Sequence, residues 1–358
     1  MEFLLIGSGW RADFFIRLAE KLPHRFSISA IVTTNKDMQK NYTERGFYCT
    51  GTIREGMVCG QPEFAVICVR KPAAHKAALE VMACGLPVLS ETPAAAGRED
   101  LLEFFSTMPP GARFQVAEQY HLRPDHAARL SCIEQGMIGE PVQALISLTN
   151  NYHAVSLMRK YLRAGDVKTQ IRAQRFEVPG RPGFTRDGAV SQPAVKMYRQ
   201  TLATFTFDDK VGIYNFEDDQ HRSYIRSHHI QIKGDNGEIN NQEVRYLKQG
   251  TPVYSPLIRM NKGENENMEG SGLKGILFEG QWLYQNPYPE AALSDDEVAV
   301  ARCLDTMSEY CDGGAEFYGF AEAAEDYYLT LLLEEAVLTG ETVIAEKQPW
   351  ADLLDKKR

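Results

Sequence analysis

Gly7-Ser8-Gly9-Trp10-Arg11-Ala12 sets two glycines and a small residue at the spacing GxGxxA, directly after the apolar run Phe3-Leu4-Leu5-Ile6. Between a strand and a helix this spacing suits a dinucleotide. The first glycine allows a tight turn, and the second lets the backbone approach a pyrophosphate. Ala12 lets helix and strand pack closely, and the helix N-terminus favours phosphate charge. The plain alternative is an ordinary strand turn, and the βαβ series that follows favours the cofactor. The second strand should end on the group that reads the adenosine ribose, where Asp or Glu favours NAD. This chain has Thr33-Thr34-Asn35-Lys36 there and no carboxylate. Thr and Asn can bond a 2′-hydroxyl or a 2′-phosphate. Lys36 can neutralise that phosphate or stand as a solvated loop lysine. The balance tips slightly to NADP over NAD and excludes neither.

Histidine is the side chain suited to proton transfer near neutrality. His153 follows a strand and opens a helix; its alternative is a ring bonded to nearby backbone. Tyr120-His121 closes the fifth strand, and ligands of such sheets bind outside the carboxyl ends of strands. The alternative for His121 is a domain-hinge residue. Arg159 and Lys160 lie beyond His153 on the same helix, where they either supply positive charge or form a solvated face. Read as a strand, the stretch from Gln220 puts His221, Ser223 and Ile225 on one side and Arg222, Tyr224 and Arg226 on the other. Such a mix could grip a hydroxylated or anionic ligand, or form an exposed face or an oligomer seam. Tyr120, Tyr152, Arg159 and His221 are the candidate substrate contacts. His121 and His126 do not share a helix face, and His228-His229 alternate across a strand, so no metal is expected.

The elements that must position these residues follow from periodicity. Strands are predicted over Phe3–Ile6, Ser27–Val32, Phe64–Val69, Pro87–Ser90 and Phe114–Glu118. Helices are predicted over Ala12–Leu22, Ala74–Cys84 and Arg98–Met108, with Gly85 as a left-handed cap. Alternation of this kind implies a parallel sheet with crossovers. After Tyr120 the pattern changes to a helix from Pro124 to Gly136, then long strands. Thr201–Phe207 and Val211–Phe216 flank Asp208-Asp209-Lys210. Ile230–Lys233 and a strand from Glu238 flank Gly234-Asp235-Asn236-Gly237. Ser294-x-x-Glu297 is a capping box opening a helix to about Cys311, and a last helix spans Phe317–Thr339. Stretches 179–196 and 260–275 read as mobile surface loops or lids. The expected domains are 1–120, of Rossmann type, and 121–358, an open mostly antiparallel sheet with helices.

Length and composition bound the rest. At 358 residues with 44% apolar content, two domains with sizeable cores are expected. The net charge of −9 with no long basic run argues against nucleic acid as a partner. Seven cysteines, an odd count without CxxC spacing, point to a reducing compartment. The N-terminal apolar run is too short for a signal peptide, and no stretch is long enough for a membrane span. A soluble cytoplasmic protein is expected.

Three further stretches accompany the glycine motif: Val66-Ile67-Cys68-Val69 leading to His75, then Gly85-Leu86-Pro87-Val88-Leu89-Ser90-Glu91-Thr92-Pro93, then Gly136-Met137-Ile138-Gly139-Glu140-Pro141. In this order they resemble the Gfo/Idh/MocA family, the glucose–fructose oxidoreductase and inositol dehydrogenase group. The resemblance covers the first half by sequence and the second by architecture. It implies NAD or NADP, a sugar, polyol or related substrate, and a second domain that often makes a homodimer or homotetramer interface. On this basis Gly7, Gly9, Trp10 and Arg11 hold the cofactor from the turn. Thr33, Thr34 and Lys36 meet it at the second strand, and Val69, Arg70, His75, Glu91 and Thr92 along the third and fourth.

The departures bear on chemistry. The family's Glu-Lys-Pro is Glu91-Thr92-Pro93 here, and a neutral threonine cannot replace the lysine as acid, base or electrostatic partner. The family's Asp four residues before a His corresponds to Thr149 before His153. Three functions are therefore weighed. The first is an NAD(P)-dependent oxidoreductase on a sugar, polyol or sugar acid, with His153 or His121 as the base. The second is an enzyme without net redox change, which oxidises a sugar transiently, eliminates a substituent and returns the hydride. The third is a dinucleotide-binding sensor or partner subunit that has lost catalysis.

Overall fold

The computed structural model describes residues 1–185, 188–263, 270 and 272–355. The chain divides into two compact units. The N-terminal unit comprises 1–124, 261–273 and 286–324; the C-terminal unit comprises 125–260, 274–285 and 325–358. The break after Pro124 falls close to the boundary expected at 120. Segments 261–273 and 286–324 also group with the first unit.

The N-terminal unit carries β1 (Glu2–Ile6), α1 (Ala12–Lys21), β2 (Ser27–Val32), α2 (Lys36–Glu44), β3 (Cys49–Thr50), α3 (Ile53–Met57), β4 (Phe64–Ile67), α4 (Lys71–Ala83), β5 (Val88–Ser90), α5 (Arg98–Thr107) and β6 (Phe114–Val116). The strands form one parallel sheet in the order β3-β2-β1-β4-β5-β6. This is the Rossmann order, with its reversal between β1 and β4. Its strands are buried on both faces, as parallel strands covered by helices must be: Phe3, Leu4, Leu5, Phe64, Ala65 and Val66 are fully inaccessible. Five strands were expected and six are present. β3 and α3 are too short for periodicity to reveal. α2 begins at once after β2 because Asn35 caps it, its side-chain oxygen accepting from the Asp37 and Met38 amides. α4 starts at Lys71 rather than Ala74, with a proline in its first turn where no amide hydrogen is needed.

A 3₁₀ turn over Tyr120–Leu122 leads to α6 (Pro124–Glu134). The C-terminal unit continues through β7 (Pro141–Ser147), α7 (Asn151–Leu162), β8 (Thr169–Gly180), the short pair β9 (Phe184–Thr185) and β10 (Gly188–Ala189), and β11 (Lys196–Phe207). Then come β12 (Lys210–Glu217), β13 (His229–Gly234), β14 (Gly237–Asn240), β15 (Glu243–Lys248) and β16 (Thr251–Pro256). A three-stranded sheet follows from β17 (Ile258–Lys262), β18 (Gly272–Phe278) and β19 (Gln281–Gln285). α8 (Asp295–Cys311), α9 (Phe320–Thr339), β20 (Val343–Ile344) and α10 (Ala351–Asp355) complete the chain. The expected loop over 260–275 is thus strand at both ends, and its positions 264–269 and 271 lie outside the described residues. The loop expected over 179–196 is strand at its ends and carries the β9–β10 pair; its positions 186–187 are likewise outside.

The large sheet has nine strands in the order β16-β15-β14-β13-β7-β12-β11-β8-β20. All its pairs are antiparallel except β7 with β12. Register keeps one face apolar: Ala203 lies opposite Tyr214 and Ala173, Phe205 opposite Gly212 and Ile171, and Ile146 opposite Tyr214 and Ile230. α7 covers this face, with most of its twelve residues buried. The turns read from sequence are present, with Asp208 left-handed between β11 and β12. The capping box at Ser294 and Glu297 is formed as expected, and Glu297 also takes Arg17 and Lys21 of α1. Among the described residues no helix is long and apolar enough to cross a membrane.

Candidate functional site

The glycine turn is built from both sides. Gly7 has φ +125°, and a Cβ there would lie 2.7 Å from the backbone carbon and oxygen of Cys68. Only glycine fits between β1 and β4 at that point. A Cβ on Gly9 meets nothing within 4 Å, so the turn presents open space on that side. The Ser8 and Thr33 hydroxyls share a hydrogen bond of 2.7 Å, which ties the turn to the end of β2. The Tyr42 hydroxyl donates to the Ser8 carbonyl and to Asp13. No side chain caps α1, whose first amides open at this turn. Open space, a helix N-terminus and a glycine backbone fit a pyrophosphate.

Arg11 and Glu91 form the charged part of the site. Arg11 Nε donates to Glu91 Oε1 at 2.5 Å, with both side chains largely buried. Burial opposes the Arg11 charge, and Glu91 more than restores it, holding the guanidinium above its ordinary value. Nη2 of Arg11 is buried without a hydrogen-bond partner, a cationic donor aimed at nothing the protein supplies. Glu91 also accepts from the Thr92 amide, and Thr92-Pro93 is a cis peptide. Beneath the pair, burial and then Glu91 push the Cys68 thiol well up, so it is a packing group rather than a nucleophile.

The other expected cofactor residues divide. Thr33 is buried and already occupied by Ser8 and the Asn35 amide. Asn35 is occupied as a helix cap. Thr34 and Lys36 remain exposed at the end of β2, Lys36 donating to Gln39. Trp10 is half exposed and packs edge-on against Phe14. Val69 is half-buried beyond β4, which ends two residues earlier than expected, and Arg70 is the exposed N-cap of α4. His75 lies inside α4, packed against Phe104 of α5.

At the end of β6, Glu118 is fully buried and accepts from the Tyr120 amide. Gln119 is buried with its side-chain oxygen unpartnered. Sequence reading passed over both, although their place at a strand's carboxyl end was a signal. Tyr120 is half-buried beneath the Arg123 guanidinium, 5.6 Å from the ring centroid. His121 stacks on Tyr318, centroids 5.2 Å apart and 26° between planes.

In the C-terminal unit, Thr149 is buried just past β7 and His153 occupies the first turn of α7, half-buried and edge-on to Tyr152. Tyr152 packs against Tyr327 of α9. Two expectations are corrected here. Arg159 is neither solvated nor directed to a ligand, for its side chain is 2% exposed and bonded to Asp326 of α9 at 2.5 Å. His221 is not on a strand: the segment turns into a 3₁₀ helix over Gln220–Arg222, where Gln220 is held by Ser147 and Ser227, and exposed His221 stacks on Phe216.

No family model and no curated protein matches the sequence. Solved structures do match. An oxidoreductase from Agrobacterium radiobacter, in complex with NAD+, L-tartaric acid and magnesium, is 15% identical with a TM-score of 0.68 over 96% of this chain and 98% of its own. The chain has the fold of this oxidoreductase. A levoglucosan dehydrogenase in complex with NADH and levoglucosan matches equally, at 14% identity and TM-score 0.68 over 97% and 100%. A myo-inositol dehydrogenase from Corynebacterium glutamicum has 15% identity and TM-score 0.66 over 97% and 99%. At such identities the likeness is one of architecture: a Rossmann sheet followed by an open, mostly antiparallel one.

The two glycines should part in their effects. Gly7→Ala should destabilise the fold, since its methyl meets Cys68 backbone. Gly9→Val should leave a folded protein that has lost most of its dinucleotide affinity. Calorimetry with NAD and NADP checks this; unchanged affinity of Gly9→Val for both rejects the turn as the site.

Proposed function

We propose that this chain is an NAD(P)-dependent oxidoreductase of the Gfo/Idh/MocA family, acting on a sugar, polyol or sugar derivative. The observation that carries the reading is the glycine turn: Gly7 closed against Cys68, Gly9 open, and Arg11 held by Glu91 with a buried donor to spare. Structures of the same fold support it: an oxidoreductase with NAD+ and L-tartaric acid, a levoglucosan dehydrogenase with NADH and levoglucosan, and a myo-inositol dehydrogenase.

Bound there, the nicotinamide would take or give a hydride. The chain's own share is binding, orientation and proton movement. The α1 N-terminus and Gly9 backbone receive the pyrophosphate. Arg11 is fixed by Glu91, so its free donor needs no reorganisation on binding. His153 takes the hydroxyl proton of the substrate, with His121 the next candidate. The test is cofactor reduction across a panel of sugars, polyols and sugar acids. Reduction with at least one of them is expected. Dinucleotide binding without turnover favours the sensor reading, and cleavage of a substrate with no net cofactor change favours transient oxidation.

Both cofactors should bind, with Lys36 setting the preference. Thr33 and Asn35 are occupied internally, which leaves Thr34 and Lys36 to meet the adenosine ribose. One exposed charge contributes little, so Lys36→Ala should weaken NADP by about three- to fivefold and NAD less. Equal loss for both cofactors would remove Lys36 from that role.

The protein should also assemble as a homodimer or homotetramer through the uncovered face of the nine-stranded sheet. Leu202 and Phe176 are exposed on it, and Ile213, opposite Thr204, shares it. A monomer by light scattering at micromolar concentration would reject this. All seven cysteines are free thiols, which supports a reducing compartment such as the cytoplasm.

A further inference from the structure

We propose that His75, Asp100 and Glu103 form a divalent-cation site of zinc type within the N-terminal unit. Asp100 and Glu103 are three residues apart on α5, hence on one face of it. His75 comes from α4, and Phe104, next to Glu103, packs on its ring at 6.2 Å. One imidazole nitrogen and one oxygen from each carboxylate all lie within 4.8 Å of one another.

The histidine is what singles out this cluster. His75 is 2% exposed, and neither ring nitrogen has a hydrogen-bond partner. An imidazole always carries polar nitrogens, and buried polar groups are nearly always satisfied. The carboxylates are also uncompensated: among the described residues no lysine or arginine forms an ion pair with either. The Ala96 amide donates to Oδ2 of Asp100 and so orients that carboxylate. Glu103 is exposed, which gives the cluster a movable arm and a route to solvent.

A cation bound here would have a nitrogen and two carboxylate oxygens from the protein, with water completing the set. An imidazole ligand favours zinc and its transition-metal neighbours over calcium or magnesium, which take oxygen alone. The ligands join α4 to α5, and binding would stabilise the fold that assembles them. Sequence spacing could not show this set, since His75 is well separated from the two acids. The site takes His75 from the cofactor role expected of it to a place against α5, and otherwise uses no residue of the dehydrogenase reading.

The test is calorimetric titration of chelator-treated full-length protein with zinc chloride at neutral pH, beside thermal unfolding with and without zinc. One equivalent should bind saturably and raise the midpoint. Asp100→Asn with Glu103→Gln should weaken binding at least tenfold and abolish the rise, and His75→Phe should do the same while keeping its aromatic contact. Should His75→Phe fail to fold, the carboxylate variant, altered at the outer side of the cluster, still decides. Absence of saturable binding at millimolar zinc would overturn the site. So would undiminished affinity in the carboxylate variant, which would place the cation elsewhere, for example on exposed thiols.

Discussion

Arg159→Met should lower the unfolding free energy by about 3–5 kcal/mol, the usual cost of removing one partner from a buried ion pair. The guanidinium of Arg159 and the carboxylate of Asp326 are 2% and 1% exposed, so neither reaches water if the other is lost. A second acid sharpens the effect. Burial raises the Glu325 carboxyl above the usual range, while Arg159 and the hydrogen bond from Trp350 pull it back. Without Arg159, the buried Asp326 and Glu325 carboxyls lose a cation that acts on both. Removing both charges should cost far less, because well-packed apolar replacements of a buried pair are often neutral. Arg159→Met with Asp326→Leu should therefore recover most of the loss. Urea unfolding with an unchanged slope is the measurement. Equal destabilisation by the single and double variants would show that the pair is not what α7 and α9 depend on.

That ion pair also marks the limit of sequence reading. Arg159 and Asp326 stand 167 positions apart, and nothing in either local pattern pairs them. A charged residue on a helix is usually solvated, so the tertiary partner overturns the local expectation. His221 failed for a related reason. Alternation on paper required a strand, but Gln220 is drawn in by three hydrogen bonds and turns the backbone. By contrast, the features set by local chemistry were readable. Gly7 demanded its turn, Ser294 and Glu297 capped α8, and β1, β2, β4, β5 and β6 announced a parallel sheet through apolar runs. The Arg11–Glu91 pair lay between: both residues were named for the cofactor site, yet their mutual bond belongs to the fold alone. α2 was hidden by its polar composition, and Asn35, which by type can bond a ribose, instead spends its side-chain oxygen on capping it.

His153→Ala should leave dinucleotide affinity intact and cut turnover by about 10²-fold or more, the scale of a positioned acid or base. On the proposed family resemblance, Thr92 takes the place of the lysine and Thr149 that of the aspartate, and neither can serve as a base near neutrality. Thr149 is buried besides. His153 is the matching residue that still can, and the structure sets it half-buried in the first turn of α7 beside Tyr152. His121 is the competitor, held flat against Tyr318. His121→Ala should do less if His153 is the base. Thr92→Lys is the companion variant. In a working dehydrogenase it should restore or raise activity, since it returns the charge the family uses; in a sensor it should do nothing catalytic. Wild-type turnover by His153→Ala would move the role to His121 or to no residue, and the non-catalytic reading would then gain.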